Sequence, residues 1–445
     1  MVMTTNSNAK RVSLIIWGIY IALFTLYLTG YFFPGSRNWG FHFLGFLPIP
    51  WFFLYIVWMG LSVVLILAGH AEKLVGRLTT MMHRRPTVFL SRTIIGYLIL
   101  AFALRVEAPL LGDSFTFIKN YTDFYTGQSP LEPWHEPFAI YFFYLVLEII
   151  GHATISEIMR TFFVVDLALG VIFLIITFQI CRQIIGDPTD RMLVFLFLIF
   201  LPYINFFFGY VEIYALTLTL LSLYVYLGVL VVNKKLPFAL FCLYGTIITF
   251  VNYLNGLLWI ATGYLALLEF RQGGGKSVVR GFSLSALMAL AVLGVVNFDL
   301  SRLIDQSPIS HFLSLTTDIS EYNKYSQAFT LFSVGHAVEL ANYILLMCPF
   351  AFMLIITSLA CQPRLAIANP LNTFLGLITI SYIGLLGVVK IQQGMANDWD
   401  VLASYFFGIT LFAAVLFVKF FDVSRVRVFP LLYRRHSYTQ SSTFS

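Results

Sequence analysis

Apolar runs of about twenty residues recur along this chain from Ile15 to Phe417, and they leave few architectures open. In lipid every backbone N–H and C=O must be paired within the protein, so many such runs fold as a bundle of helices. Charged residues are 11% of the chain and hydrophobic residues 59%, whereas a soluble domain carries about 25% charged residues. The expected fold is therefore an all-α polytopic membrane protein. Spans fall at roughly 13–33, 50–69, 91–107, 161–180, 192–208, 211–232, 236–252, 255–269, 281–299, 336–357, 371–389 and 401–420.

A further apolar segment, 138–151, is short and amphiphilic. Counted as a full crossing, it would put Asn233-Lys234-Lys235 and the basic tail on the same side as Asp113. As a half-depth helix it removes that conflict, which gives about twelve transmembrane helices plus one short segment. Lys10, Arg11, Lys73, Arg77, Arg84, Arg85, Arg182, Arg191, Lys234, Lys235, Lys419 and Arg425 then share the cytoplasmic side, as the positive-inside rule expects. Both termini are expected in the cytoplasm, the protein in the plasma (inner) membrane. Lys10 and Arg11 precede an apolar run without a small-residue cleavage site, which reads as a retained anchor.

Three regions follow from this pattern: a two-helix addition with a basic loop over 1–90, a membrane core over 91–420, and a basic tail over 421–445 expected to be disordered. The net charge of +6 is dispersed over short loops, so no nucleic-acid partner is expected. The partners implied are membrane lipids and the substrates discussed below. Cys181, Cys242, Cys348 and Cys361 are scattered, with no CxxC pair that would indicate a disulfide or metal framework.

Many acids fall on the opposite, outer side, where segments 108–137, 300–335 and 390–400 are long enough to build a site with interfacial helices. Ionisable groups at membrane depth cost roughly 2.5–3.5 kcal/mol on insertion scales and usually line a substrate path or catalytic cleft. Asp113, in Leu111-Gly112-Asp113-Ser114, follows a membrane helix closely. A carboxylate held partly out of water there is suited to take a proton from an acceptor hydroxyl; equally, Asp113 would cap the helix beginning near Ser114.

Pro133-Trp134-His135-Glu136-Pro137 sets an imidazole, an indole and a carboxylate between two prolines. That grouping suits a sugar face or a lipid headgroup, and it also suits a Trp anchor at a helix start. Phe208-Gly209-Tyr210-Val211-Glu212-Ile213-Tyr214 interrupts an otherwise apolar stretch. A turn accounts for Gly209 but not for Glu212, which on a helix with Ala215 and Leu216 would need an inward polar partner. Tyr210 joins Glu212 as a substrate-binding candidate.

Asp398-Trp399-Asp400 has D-x-D spacing. Substrate hydroxyls are the expected ligands, with a helix N-cap at Asp400 as the plain alternative. No cofactor is expected, and this pair is the one place where a divalent metal is an alternative. His336, Glu339 and Asn342 recur at spacing three, on one face of the 336–357 helix, and three polar residues there imply a wet cavity. No HExxH, GxSxG or P-loop signature occurs.

The order of these segments resembles the GT-C-type integral-membrane glycosyltransferases, a superfamily that includes protein mannosyltransferases and aminoarabinose transferases. The likeness runs through Gly112-Asp113-Ser114, Trp134-His135-Glu136-Pro137 leading into Phe138-Ala139-Ile140-Tyr141, and Ile158-Met159-Arg160-Thr161. It continues through Cys181-Arg182-Gln183, Phe208 to Tyr214, and Asp398-Trp399-Asp400, covering roughly residues 91–405. The resemblance implies a polyprenyl-phosphate-linked sugar donor, a lipid, glycan or protein acceptor, catalysis at the extracytoplasmic face, and inversion at the sugar. It implies Asp113 as general base and Arg160 beside the donor phosphate, with His135, Glu136, Glu212 and Asp398 lining the pocket. A transporter or flippase of lipid-linked or small anionic substrates would instead call for inverted repeats and broken helices, and the sequence signals neither. An O-antigen polymerase or ligase would call for an Arg-rich outer loop, but segment 300–335 carries only Arg302.

Overall fold

The longest helix, Ile155–Ile184, runs for 30 residues, about 45 Å at 1.5 Å per residue, so its two ends reach opposite faces of a bilayer. This computed structural model describes residues 5–35, 39–42, 45, 48–108, 114–130, 136–151, 154–295, 313, 315, 330–361, 363–367, 369–389, 391, 395–396 and 398–421. Before the long helix, α7, come α1 (Thr5–Phe32), α2 (Ile49–Leu67), α3 (His70–Arg84), α4 (Pro86–Ala103), α5 (Ser114–Tyr125) and α6 (Pro137–Ile150). After it come α8 (Pro188–Ile199), α9 (Tyr214–Val232), α10 (Phe238–Val251), α11 (Leu258–Arg271) and α12 (Gly275–Val295). The last are α13 (Val334–Met347), α14 (Pro349–Cys361), α15 (Pro370–Val388), the single turn α16 (Asp400–Ala403) and α17 (Phe406–Phe421). The described chain is an all-α, multi-pass membrane fold.

Helix starts follow local chemistry. Thr154 and Glu157 close a capping box on α7, Asp187 Oδ1 accepts from the Thr189 and Asp190 amides at α8, and prolines open α4, α6, α8 and α15. Lipid tails are as apolar as Leu, so close packing and interhelical hydrogen bonds hold such a bundle, the latter averaging about 0.6 kcal/mol each. The Tyr224 hydroxyl of α9 donates to the Leu258 carbonyl of α11 (2.9 Å) and lies 2.8 Å from Thr262 Oγ1. Fully buried Phe173 of α7 meets Tyr203, Phe207 and Phe407 at ring distances of 6.1, 5.2 and 5.5 Å. Helix α4 runs antiparallel to α7. Phe89 lies 6.1 Å from Phe178, Tyr97 reaches the Asp166 and Leu167 carbonyls, and Phe102 lies 5.3 Å from Phe163.

Among the described residues, six helices are long and apolar enough to cross a membrane, or up to eight if two bent pairs count as one span each. Shorter apolar helices occupy 17–32, 52–66, 137–150, 238–251 and 406–419, where the sequence placed spans and the half-depth segment. The expected unbroken crossings 192–208 and 336–357 need correction. The first bends by 63° between Pro188–Ile199 and a tight turn, Pro202–Phe208; the second bends by 101° between Val334–Met347 and Pro349–Ala360. Each break falls before a proline, which lacks an N–H and pushes its predecessor out of the helical region: Leu201 has φ −92°, ψ 157° and Cys348 φ −166°, ψ 78°.

The N-terminal pair of helices is tied to α13. The Tyr27 hydroxyl donates to the Leu345 carbonyl (2.8 Å), Trp39 Nε1 to Glu339 (3.3 Å), and the Gly40 amide to Asn342 Oδ1 (3.0 Å). A side chain at Gly40 would overlap the Asn342 backbone. His336 turns its Nε2 to the Gly387 carbonyl of α15 at 2.9 Å. The wet cavity expected over His336, Glu339 and Asn342 is thus replaced by protein contacts, because the chain after α1 returns onto this face.

Candidate functional site

Two irregular segments meet to form the most acidic buried cluster among the described residues. The first follows the Pro202–Phe208 turn. Gly209 has φ +86° and lies against Phe163, where a Cβ would come within 2.9 Å of the ring, so only glycine fits without displacement. Reversing the chain there buries Tyr210 and Glu212 (3% and 1% exposed) before α9 begins. Glu212 sits in this turn, with its amide bonded to the Tyr210 carbonyl at 2.8 Å, and not on the helix that the sequence suggested.

The second segment is Asp398-Trp399-Asp400. Both acids are buried, and Asp400 Oδ2 accepts the Tyr210 hydroxyl at 2.9 Å. Asp400 is the first residue of α16, and the N-cap position falls on Trp399, so the cap expected at Asp400 is displaced by one residue. Trp399 stacks on Phe206 with ring centroids 5.4 Å apart and lies 5.9 Å from Tyr210. Its carbonyl accepts the Tyr343 hydroxyl of α13, and Ser404 Oγ reaches the Tyr214 carbonyl at 3.4 Å. Burial pushes the Tyr210 phenol well above its ordinary pKa, and the negative charges of Asp400, Glu212 and Asp398 push it further. Tyr121 of α5 is raised for the same first reason, then by Tyr125 and Glu212. The phenol therefore stays a hydrogen-bond donor toward the acids. Replacing Tyr210 by Phe removes a hydrogen bond to a charged group, about 1.5–3 kcal/mol. We expect a lowered melting temperature, with Tyr210→Phe and Asp400→Asn non-additive in a double-mutant cycle; full additivity would mean the bond contributes nothing.

Glu136 occupies the N-cap position of α6 without a side-chain cap bond, half-buried. Burial raises the Tyr405 phenol, and Tyr253 and then Glu136 add to the shift, which sets Glu136 near this tyrosine. Tyr405 stacks on Tyr382 (4.2 Å) and donates to Asn252 Oδ1 (3.3 Å), linking α10, α15 and α17.

Arg160 lies in the second turn of α7, exposed and without an ion pair among the described residues. Glu157, three residues before it, would be a structural partner by spacing, but that carboxylate accepts the Thr154 amide at 2.9 Å. Phe163, one turn further along α7, carries the Arg105 guanidinium 5.8 Å above its ring and lies against Gly209. Arg105 also pairs with Glu107 at 3.0 Å. Arg105 thus lies on the ring that packs against the Gly209 turn, and Arg160 is three residues before that ring on α7.

The structure brings Tyr210, Glu212, Asp398 and Asp400 to one place, and sequence reading overlooked Arg105 and Asp166. Asp166 is fully buried within α7, and neither carboxylate oxygen has a hydrogen-bond partner among the described residues. An acid inside an apolar run was its visible signal. Asp113 and His135 lie outside the described residues.

No protein-family model matches the chain, and no curated protein matches it. Two solved structures are similar to it. One is the oligosaccharyltransferase of Archaeoglobus fulgidus in its apo form, at 11% identity and TM-score 0.44, covering 76% of this chain and 51% of that one. The other is the same enzyme tethered through a disulfide bond to an acceptor peptide containing the NVT sequon, at 10% identity and TM-score 0.41, covering 76% and 50%. The chain spans about half the length of the structures it matches.

Proposed function

We propose that this protein is a membrane-bound glycosyltransferase that moves a sugar from a polyprenyl-phosphate-linked donor to a lipid, glycan or protein acceptor at the extracytoplasmic face. It would sit in the plasma (inner) membrane with both termini cytoplasmic. Asp113 takes the proton of the acceptor hydroxyl, whose oxygen attacks the anomeric carbon as the bond to the phosphate oxygen breaks. The phosphate leaves with the bonding electrons, and Arg160 offsets its charge. Tyr210, Glu212, Asp398 and Asp400, with Glu136 and His135, are assigned to sugar and acceptor hydroxyls, whereas His336 is left to its contact with α15.

The observation that carries this reading is the meeting of Tyr210 and Glu212 with Asp398-Trp399-Asp400, acids and stacked aromatics gathered where two irregular connections between helices meet. Supporting it are the ordered segments that resemble GT-C enzymes and the exposed Arg160. The test is purified protein in proteoliposomes, given a panel of polyprenyl-phosphate sugars with labelled sugar. We expect polyprenyl phosphate to be released as label appears on an acceptor.

A second reading, a transporter or flippase, gains from two observations: the broken helix pairs and the buried Asp166 within α7. It predicts that the intact labelled donor crosses the bilayer uncleaved. That result would overturn the transferase reading.

A further inference from the structure

Helix α3 appears in the sequence only as a basic loop, and the proposed reaction gives it no role. It is a 15-residue helix held between two apolar helices by links of two residues, Ala68-Gly69, and one, Arg85. Links that short keep it at the depth where membrane helices end, which is the headgroup layer. Val75, Leu78, Met81 and Met82 pack against the protein core. Lys73, Arg77 and Arg84 recur at spacings of four and seven, so they form one stripe on another face, and all three are exposed. None of them makes an ion pair among the described residues.

The stripe belongs to a wider basic end of the bundle. Phe89, four residues after Arg85, lies 6.1 Å from Phe178, and the Arg182 guanidinium covers that ring at 5.9 Å. Lys235 Nζ lies 2.8 Å from Gln183 Oε1 beside it. Arg160 and the Gly209 turn lie at the other end of α7 from Arg182. No ion pair links the stripe to Asp187 or Asp190 of α8 among the described residues.

We propose that the Lys73–Arg77–Arg84 face of α3 is a binding surface for the anionic phospholipid headgroups of the leaflet opposite the candidate site, the cytoplasmic leaflet by its charge. A basic stripe, a docked apolar stripe and a position fixed at headgroup depth are the three properties that lipid phosphates require; a soluble protein ligand would require only the first. Exposed Leu74, between Lys73 and Val75, adds an acyl-chain contact that suits lipid and not water. Each basic residue close to an anionic surface strengthens association by about fivefold, so the three together contribute about a hundredfold.

The test uses the full chain in nanodiscs of phosphatidylcholine alone or with phosphatidylglycerol added, with the melting temperature as readout. Wild type should melt higher in the anionic discs, and the gain should vanish at about 1 M salt, where the screening length is about 3 Å. The combined variant Lys73→Gln, Arg77→Gln, Arg84→Gln should lose most of the gain while melting like wild type in phosphatidylcholine. The charge-keeping variant Lys73→Arg, Arg77→Lys, Arg84→Lys should retain it, as should Lys276→Gln with Arg280→Gln on α12. If the combined variant does not fold, Arg77→Gln alone, mid-stripe and exposed, should still lose part of the gain. A gain that resists salt, or that survives in full in the combined Lys73, Arg77 and Arg84 variant or in Arg77→Gln, overturns the proposal. It would leave the stripe to a protein ligand or to membrane insertion alone.

Discussion

Replacing Asp113 by Asn is expected to lower turnover about 10²–10⁴-fold while leaving the protein folded, because general-base catalysis is worth that much and the substitution removes only the base. The choice of Asn separates two roles. In sequence Asp113 directly precedes Ser114, the first residue of α5, so a capping role is the alternative to be tested. Asn caps as well as Asp, whereas Ala costs about 0.5–2 kcal/mol at such a position. A capping role predicts that Asp113→Asn is silent and that Asp113→Ala lowers the melting temperature. A base role predicts that both variants lose turnover, with Ala also losing stability only where the residue caps as well. Turnover with a purified lipid-linked donor and thermal unfolding, measured on the same three proteins, distinguish them. Near-wild-type turnover in Asp113→Asn would leave the residue as a cap.

Hydropathy made the spans legible, and it hid the bends for the same reason. Segment 192–208 is apolar on both sides of Pro202, so composition gives no boundary; the break comes from the missing N–H and the extended Leu201. Pro349 acts alike in the 336–357 run. Both prolines were visible, but a continuous apolar stretch outweighed them. Glu212 was recognised as anomalous by its charge, yet its neighbours were misplaced, because Gly209 delays the start of α9 until Tyr214. Its companions come from nearly two hundred residues away, and no local pattern links Tyr210 to Asp400. Helix α3 was legible in principle. Lys73, Arg77 and Arg84 alternate with Val75, Leu78 and Met82 at helical spacing, a pattern obscured by reading the segment for charge alone.

Arg160→Ala should weaken binding of a polyprenyl-phosphate sugar much more than it weakens the fold. A hydrogen bond to a charged group contributes about 1.5–3 kcal/mol. At 1.4 kcal/mol per factor of ten, that is about a 10- to 150-fold loss of donor affinity. The stability side is set by what the side chain leaves behind. Arg160 is exposed and makes no ion pair among the described residues, and its nearest candidate, Glu157, stays bound to the Thr154 amide in the capping box. Exposed pairs one turn apart would in any case contribute only about 0.3–0.5 kcal/mol. Arg160→Lys provides the intermediate case, since an ammonium keeps the charge but loses the planar fork that grips two phosphate oxygens, and it should recover only part of the affinity. Donor affinity and melting temperature must be read on one preparation. A lowered melting temperature with unchanged affinity would remove Arg160 from the phosphate and shift weight to the transporter reading. In that reading Asp166 and the two broken helix pairs, rather than the turn at Gly209, would mark the substrate path.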